Sequence, residues 1–262
     1  MKIIYEPKGR ALEYSFLALN PWGKSWCSHD CSYCFVPGTF RMSRERWRAQ
    51  PFAPCKDLLK KLRLDCAELR GTDKRVLCCF AGDLYSPEAN ATGLPRLILE
   101  TFREFDVPFQ VLTKGGTWAV YDFDLYGPND AFATTMTFTN NNDSHKAEPG
   151  AATPNDRIKA MKTAHDRGIE TWVSLEPVIH PADALYWIER LSEYVDLFKI
   201  GKLNHDPARE KEIHWHGFGV DAIELCEKYG KKYYVKDDLA RRLPEVSFTN
   251  TDTRTVTRRR AP

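Results

Sequence analysis

Cys27, Cys31 and Cys34 stand in the run Trp-Cys-Ser-His-Asp-Cys-Ser-Tyr-Cys-Phe, a C-x3-C-x2-C spacing whose last cysteine precedes an aromatic residue. Three thiolates this close can wrap one corner of a cubic iron–sulfur cluster and leave its fourth iron without a protein ligand. An open iron can bind a small molecule and act on it, whereas most clusters that only carry electrons are closed by a fourth cysteine. Zinc is the competing reading, because Cys27, His29, Cys31 and Cys34 make a nominal four-ligand set. All four fall within eight residues, however, and zinc knuckles and ribbons draw their ligands from two separated pairs. The spacing therefore favours iron and sulfide over zinc. A disulfide is not expected in a chain that shows no secretory signal.

The elements that must position this loop alternate along the rest of the chain. A helix is expected over 54–71, with Leu58, Leu62, Cys66 and Leu69 on one face and Gly71 at its end. Residues 75–81 read as a buried strand, 95–105 as a helix and 109–113 as the next strand. A short helix over 117–126 and a Thr-rich strand over 131–138 follow. Thr153 caps a helix with Pro154 at its first position, and Gly168 ends it. Strand 169–175, helix 181–194, strand 196–200, helix 218–229 and strand 232–235 complete the pattern, and 11–18 supplies a first strand before the cysteines. Buried strands alternating with helices argue for an α/β fold with a parallel sheet.

Polar residues gather after each strand: Gly82-Asp83-Leu84-Tyr85-Ser86-Pro87-Glu88, then Thr113-Lys114-Gly115-Gly116, then Thr137, Thr139 and Asn140. Ser174-Leu175-Glu176-Pro177 with His180, and Lys199 to His205, continue the series. In parallel β/α barrels function sits at this end of the strands.

The cysteine spacing resembles the signature of the radical S-adenosylmethionine superfamily. Residues 11–205 resemble its spore photoproduct lyase, or DNA-repair-photolyase-like, branch. The matching features are the cysteine loop after Leu19-Asn20-Pro21, the Gly82-to-Glu88 element, Thr113-Lys114, Glu148-Pro149 with Asn155-Asp156-Arg157, and Glu176-Pro177. The resemblance implies a partial (β/α)6 barrel of the TIM type over 1–205, with a helix–strand extension and basic tail over 206–262 packed on the same domain. It implies a [4Fe–4S] cluster on Cys27, Cys31 and Cys34, with S-adenosyl-L-methionine on the open iron. An electron then cleaves the sulfonium and yields a 5′-deoxyadenosyl radical that removes hydrogen from a C–H bond. On the same resemblance Gly82 and Asp83 hold the amino end of the cofactor and Lys114 faces its carboxylate. Thr137 or Thr139 reaches a ribose hydroxyl, Tyr33 or Phe35 stacks near adenine, and Ser174 and Glu176 complete the cofactor-binding set.

One position departs from the branch. Ala81 stands where spore photoproduct lyase carries the cysteine that returns a hydrogen atom to the product, and Cys78 and Cys79 lie just upstream as candidate catalytic thiols. Adjacent strand residues point to opposite faces, so only one of the two can face the barrel interior. Without a donor cysteine, return of hydrogen from 5′-deoxyadenosine would suit an isomerisation. The implied substrate is a thymine-derived base in DNA, with rearrangement of a modified thymine, as in phage DNA hypermodification, preferred over repair of a photolesion. A peptide or small metabolite is the second substrate class, and a zinc-dependent nucleic-acid-binding module is the rival outside enzymology.

Composition restricts the partners. Net charge is +2 over 262 residues, with 42% hydrophobic and 28% charged residues, which does not advertise a nucleic-acid binder. Local basic runs do exist, Arg41, Arg44, Arg46 and Arg48 after the cysteines and Arg254, Arg258, Arg259 and Arg260 in the tail, and read as solvated surface or phosphate contacts. Trp22, Trp26, Trp47 and Trp215 are candidates for stacking on an extruded base. His180, His205, His214 and His216 could suggest a second metal, but His214 and His216, two apart beside Trp215, read as loop residues. The five remaining cysteines, apart from any catalytic role of Cys78 or Cys79, read as small buried hydrophobes. No apolar run approaches a membrane span, so a cytoplasmic enzyme fed by an external flavodoxin- or ferredoxin-type electron donor is expected.

Overall fold

A computed structural model of the chain describes residues 2–257. Arg258, Arg259 and Arg260 of the basic tail lie outside the described residues. The strands are β1 (Ile4–Tyr5), β2 (Leu17–Leu19), β3 (Val76–Cys78), β4 (Phe109–Thr113), β5 (Ala131–Thr135), β6 (Glu170–Leu175), β7 (Leu197–Ile200) and β8 (Lys232–Val235). They form one sheet in sequential order. β1 runs antiparallel to β2, and every later neighbour is parallel. Parallel neighbours need long crossovers. Here these carry the helices Leu58–Leu69, Leu94–Glu104, Pro154–Asp166, Pro181–Leu191 and Trp215–Lys228, and the 3-10 segment Gly116–Leu125.

Strand alternation divides the core. Phe109, Val111, Val173 and Phe198 pack outward with helix residues such as Ile98, Phe102, Met161 and Ile188 in one large apolar cluster. Ala131, Ala133, Trp172 and Leu77 pack inward with Tyr14. Each fully buried large side chain contributes about 1.5–3 kcal/mol. The sheet curls around the segment before β2. Gln110 Nε2 of β4 donates to Tyr14 O at 2.9 Å, Lys199 Nζ of β7 to the same oxygen at 3.2 Å, and Tyr14 Oη lies 3.0 Å from Ser174 Oγ of β6. The result is an open barrel, because among the described residues β8 does not pair back onto β1 or β2.

The structure shifts several expected boundaries. The strand expected over 11–18 is a 3-10 turn, Gly9–Glu13, followed by the short β2. The carbonyls of Glu13 and Tyr14 accept from Lys199 and Gln110 side chains rather than from a strand ladder. The strand expected over 75–81 leaves the ladder at Cys78, because Asn20 Oδ1 takes both the Phe80 and Ala81 N–H groups at 2.9 Å. The helix expected from Pro54 starts at Leu58, since Asp57 is left-handed, with φ +56°. The Thr153 cap forms as expected, its hydroxyl accepting from Asp156 N. Beyond residue 205, β8 adds a parallel strand beside β7, and residues 251–257 lie across the lower end through Thr251 N to Tyr233 O and Val256 N to Asp73 O.

Candidate metal and cofactor site at the strand ends

A cavity of about 570 Å3 opens at the C-terminal ends of the strands. Cys27, Cys31 and Cys34 form one wall; Thr113, Lys114 and Thr135 continue it, and Tyr14, Ser174, Glu176 and Lys236 lie on the wall built by the later strands. The cysteine loop is braced from both sides. The short helix Arg44–Arg48, capped by Ser43, sends the Arg44 guanidinium back to the carbonyls of Asp30 and Cys31, both at 2.6 Å, and of Ser32 at 3.1 Å. Arg44 and Arg48 also pair with the Asp30 carboxylate. These two members of the basic run are therefore struts, while Arg41 and Arg46 are exposed. On the opposite side Ser32 N donates to Ala147 O at 2.7 Å and Gly150 N to His29 O at 3.3 Å. Any Cβ at Gly150 would collide with the Ser28 carbonyl, so only glycine permits this approach.

Burial raises all the loop thiols. Cys27 is pushed well up by burial and then by the Asp83 carboxylate, Cys31 is pushed up to about 11 by burial against the opposing pull of Lys114, and Cys34 is raised by burial. The metal-free loop thus holds protonated thiols, and metal binding must release those protons. His29 does not complete a zinc set. Its Nδ1 donates to Gly150 O at 2.9 Å and its Nε2 lies 3.1 Å from Asp83 Oδ2. Among the described residues no three His, Cys, Asp or Glu side chains converge to hold a single metal ion. A cubic cluster asks less, because each thiolate meets a different iron. The donor set suits the cluster better than zinc.

The remaining sequence candidates separate. Gly82 takes φ +87°, and an added Cβ would stand 3.0 Å from the Trp22 ring. Asp83 is buried, and its carboxylate accepts from Tyr85 N, Thr113 Oγ1 and Lys114 N. Burial alone would raise its pKa, but His29, Thr113 and the Lys114 N–H together hold it well below the usual carboxylate range. Half-buried Lys114 places Nζ 5.6 Å from the centre of the Tyr33 ring. The Tyr33 hydroxyl donates to Glu148, and Thr137 Oγ1 lies 3.4 Å from it. Phe35 is half exposed at the cavity rim. Thr139 is directed elsewhere, its hydroxyl donating to Asp183 at 2.7 Å. Cys78 faces the helices in the large apolar cluster, whereas Cys79 lines the cavity.

Two contributors, Tyr14 and Lys236, were not singled out from sequence. Lys236 pairs with Glu176 and sits 3.5 Å from the centre of the Tyr14 ring. Tyr14 Oη donates to Glu176 Oε2 at 2.8 Å, and Asn204 Nδ2 to its Oε1 at 3.1 Å. Lys236 follows a strand that read as an extension; counting β8 into the barrel is the signal that would have found it. Trp22, Trp47 and Trp215 are buried, with Trp22 Nε1 donating to Asp83 O at 2.9 Å and Trp215 Nε1 to Glu210 O at 2.8 Å. Trp22 and Trp215 lie outside the cavity lining, whereas Trp47, 1% exposed, is part of it. His180 and His214 precede helices, His216 lies within one, and His205 lines the cavity.

No family model matches the chain, and no curated protein matches it. Solved structures do. A variant of spore photoproduct lyase aligns with a TM-score of 0.65 at 12% identity, covering 88% of this chain and 78% of its own. Another variant, with bound AdoMet and dinucleoside spore photoproduct, gives a TM-score of 0.65 at 12% identity over 88% and 78%. Streptococcus suis SuiB bound to S-adenosylmethionine gives 0.60 at 12% identity over 86% of this chain and 52% of SuiB. The chain shares their fold, and the expected partial β/α barrel is present.

Proposed function

We propose that this chain is a radical S-adenosylmethionine enzyme, with a [4Fe–4S] cluster on Cys27, Cys31 and Cys34. The observation that carries this reading is the gathering of those thiols on one wall of a cavity at the C-terminal ends of a partial parallel barrel. The fold shared with spore photoproduct lyase and SuiB supports it. Cluster and S-adenosylmethionine together supply a carbon radical able to remove hydrogen from an unactivated C–H bond. Anaerobic reconstitution tests the reading: bound iron and sulfide, and reductant-dependent formation of 5′-deoxyadenosine and methionine, are expected. A zinc-only or metal-free product would defeat it.

The chain's own residues bind and orient. Lys114, which forms no ion pair among the described residues, offers a point charge to the cofactor carboxylate. Replacing Lys114 with Ala is expected to weaken S-adenosylmethionine binding by roughly 10–100-fold, the scale of one lost charge-assisted hydrogen bond, while the cluster colour stays. Calorimetric titration measures this, and an unchanged affinity would remove Lys114 from the site. Gly82 lets the backbone approach the cofactor, and Tyr33, fixed by Glu148, presents its ring beside Lys114.

The substrate we propose is a thymine-derived base in DNA, and the reaction a rearrangement of its substituent. Ala81, where the related enzyme has its donor cysteine, supports return of the abstracted hydrogen from 5′-deoxyadenosine. A base must leave its stack to enter the cavity, at a cost of a few kcal/mol. Cys79 favours a second reading, photolesion repair. Its thiol lines the cavity, and burial and nearby Asp83 keep it protonated, as a hydrogen-atom donor must be. Turnover in deuterated water separates the two. Rearrangement leaves the product free of solvent deuterium. Repair through Cys79 labels it, Cys79→Ala abolishes the label, and Cys78→Ala, which alters only the helix-facing core, leaves it.

SuiB has been solved with its precursor peptide SuiA, and a peptide is accordingly the other substrate class to test. Tight DNA binding with a steep salt dependence would count against it. The proposed setting is the cytoplasm, with a flavodoxin- or ferredoxin-type donor; no helix among the described residues is long and apolar enough to cross a membrane.

A further inference from the structure

We propose that His29 is a positioning residue whose buried contact with Asp83 latches the cysteine loop onto the ends of β3 and β4 before metal arrives, and that Asp83 serves this latch instead of meeting the cofactor ammonium. This deepens the function proposed above and rests on it only for its significance.

The geometry is specific. The His29 side chain is 4% exposed and that of Asp83 7%, with Nε2 and Oδ2 3.1 Å apart, an ion-pair distance at which the ring N–H direction is not aligned as a hydrogen bond. An ionised carboxylate has about four lone-pair sites. Asp83 Oδ1 accepts from Tyr85 N at 2.8 Å and Thr113 Oγ1 at 2.6 Å. Its Oδ2 accepts from Lys114 N at 2.8 Å and faces His29. Little capacity is left for an incoming ammonium group. Each partner also belongs to a different piece of the site: Tyr85 follows β3, Thr113 and Lys114 end β4, and His29 sits between Cys27 and Cys31.

The other ring nitrogen extends the connection. Nδ1–H donates to Gly150 O at 2.9 Å, in the segment after β5 that also receives Ser32 N through Ala147 O. One imidazole thus bridges the cysteine loop to Asp83 after β3, through Asp83 to the end of β4, and to the Gly150 segment that precedes the helix Pro154–Asp166. Thiols that a cluster must later bridge are held in place by protein contacts alone, which lowers the ordering cost that metal binding would otherwise bear.

The two ring contacts can be separated by substitution. Glutamine places an N–H donor near the position of Nε2, and asparagine one near Nδ1. Amide hydrogen exchange over 27–34 in the metal-free protein reads the latch without needing a cluster. His29→Ala is expected to accelerate exchange about tenfold or more. His29→Gln should restore protection and His29→Asn should not. Equal protection in His29→Ala and the unaltered chain, or rescue by asparagine alone, would overturn the proposal. After reconstitution, His29→Gln should keep the change that S-adenosylmethionine causes in the electron paramagnetic resonance of the reduced cluster, and His29→Ala should weaken it. If the unaltered chain binds no iron the enzyme reading fails, while the exchange data still decide the latch.

Discussion

Replacing any one of Cys27, Cys31 or Cys34 with alanine is expected to strip the reconstituted protein of the proposed cluster and abolish the proposed cleavage of S-adenosylmethionine. A lost outer-shell partner typically costs 10–100-fold in metal affinity; a lost ligand should cost more, since the remaining two thiolates cannot hold three irons of the cube. Burial sharpens the effect. Cys31 is buried and Cys27 and Cys34 are partly so; burial raises all three thiols, Cys31 up to about 11. They become thiolates only when a cation compensates the desolvation, so a partial ligand set gains little. Iron and sulfide analysis with visible absorbance is the measurement. Cys66→Ala and Cys226→Ala serve as controls, because both thiols lie in the outer apolar cluster away from the cavity. Iron retained in all the loop variants, or lost equally in the controls, would contradict the assignment.

The contrast between those cysteines shows what the sequence made legible. The loop declares itself because its chemistry depends on short spacing, which a linear chain displays directly. The alternation of buried strands and helices was equally readable, and the sheet order follows it strand by strand. What stayed hidden depends on distant partners. Asp83 reads as a ligand in sequence, yet His29, Thr113 and the Lys114 N–H surround it. Thr137 and Thr139 look alike on paper, but one approaches Tyr33 and the other bonds Asp183. Arg44 reads as surface charge, yet it braces the loop it follows. Lys199 reads as the first of a polar group after a strand, yet it lies within β7 and inside the barrel against Trp172, where burial lowers it to about 7. Except for Arg44, whose partners lie in the adjacent loop, the side chain's role is set by a residue far along the chain.

Glu148 carries the second large effect, through stability. Its carboxylate and the Arg157 guanidinium are both essentially shut off from water. Glu148 accepts from Arg157, from Tyr33 and, at 3.2 Å, from Ser144, while Arg157 also donates to Ala152 O at 2.9 Å and Thr135 O at 3.0 Å. Glu148→Ala leaves a buried guanidinium without its counter-charge, which should cost about 3–5 kcal/mol. Replacing Arg157 along with it, as in Glu148→Leu with Arg157→Met, should cost less than the two single changes summed, because no charge is then stranded. Acid should have a related effect. Burial favours the neutral acid, but Arg157 and Lys114 outweigh it and set the Glu148 pKa below its ordinary value. The depressed pKa therefore contributes stability fully above the unfolded value of about 4.3, and that contribution fades as pH falls through the lower folded value. Denaturant titrations of the unaltered chain and Glu148→Gln should differ most near neutrality and converge in acid. A gap constant across that range would mean that the pair is not ionised in the fold. Because Tyr33 lies between Cys31 and Cys34 and bonds Glu148, the same substitution should also loosen the cysteine loop, so iron uptake and folding stability should fall together.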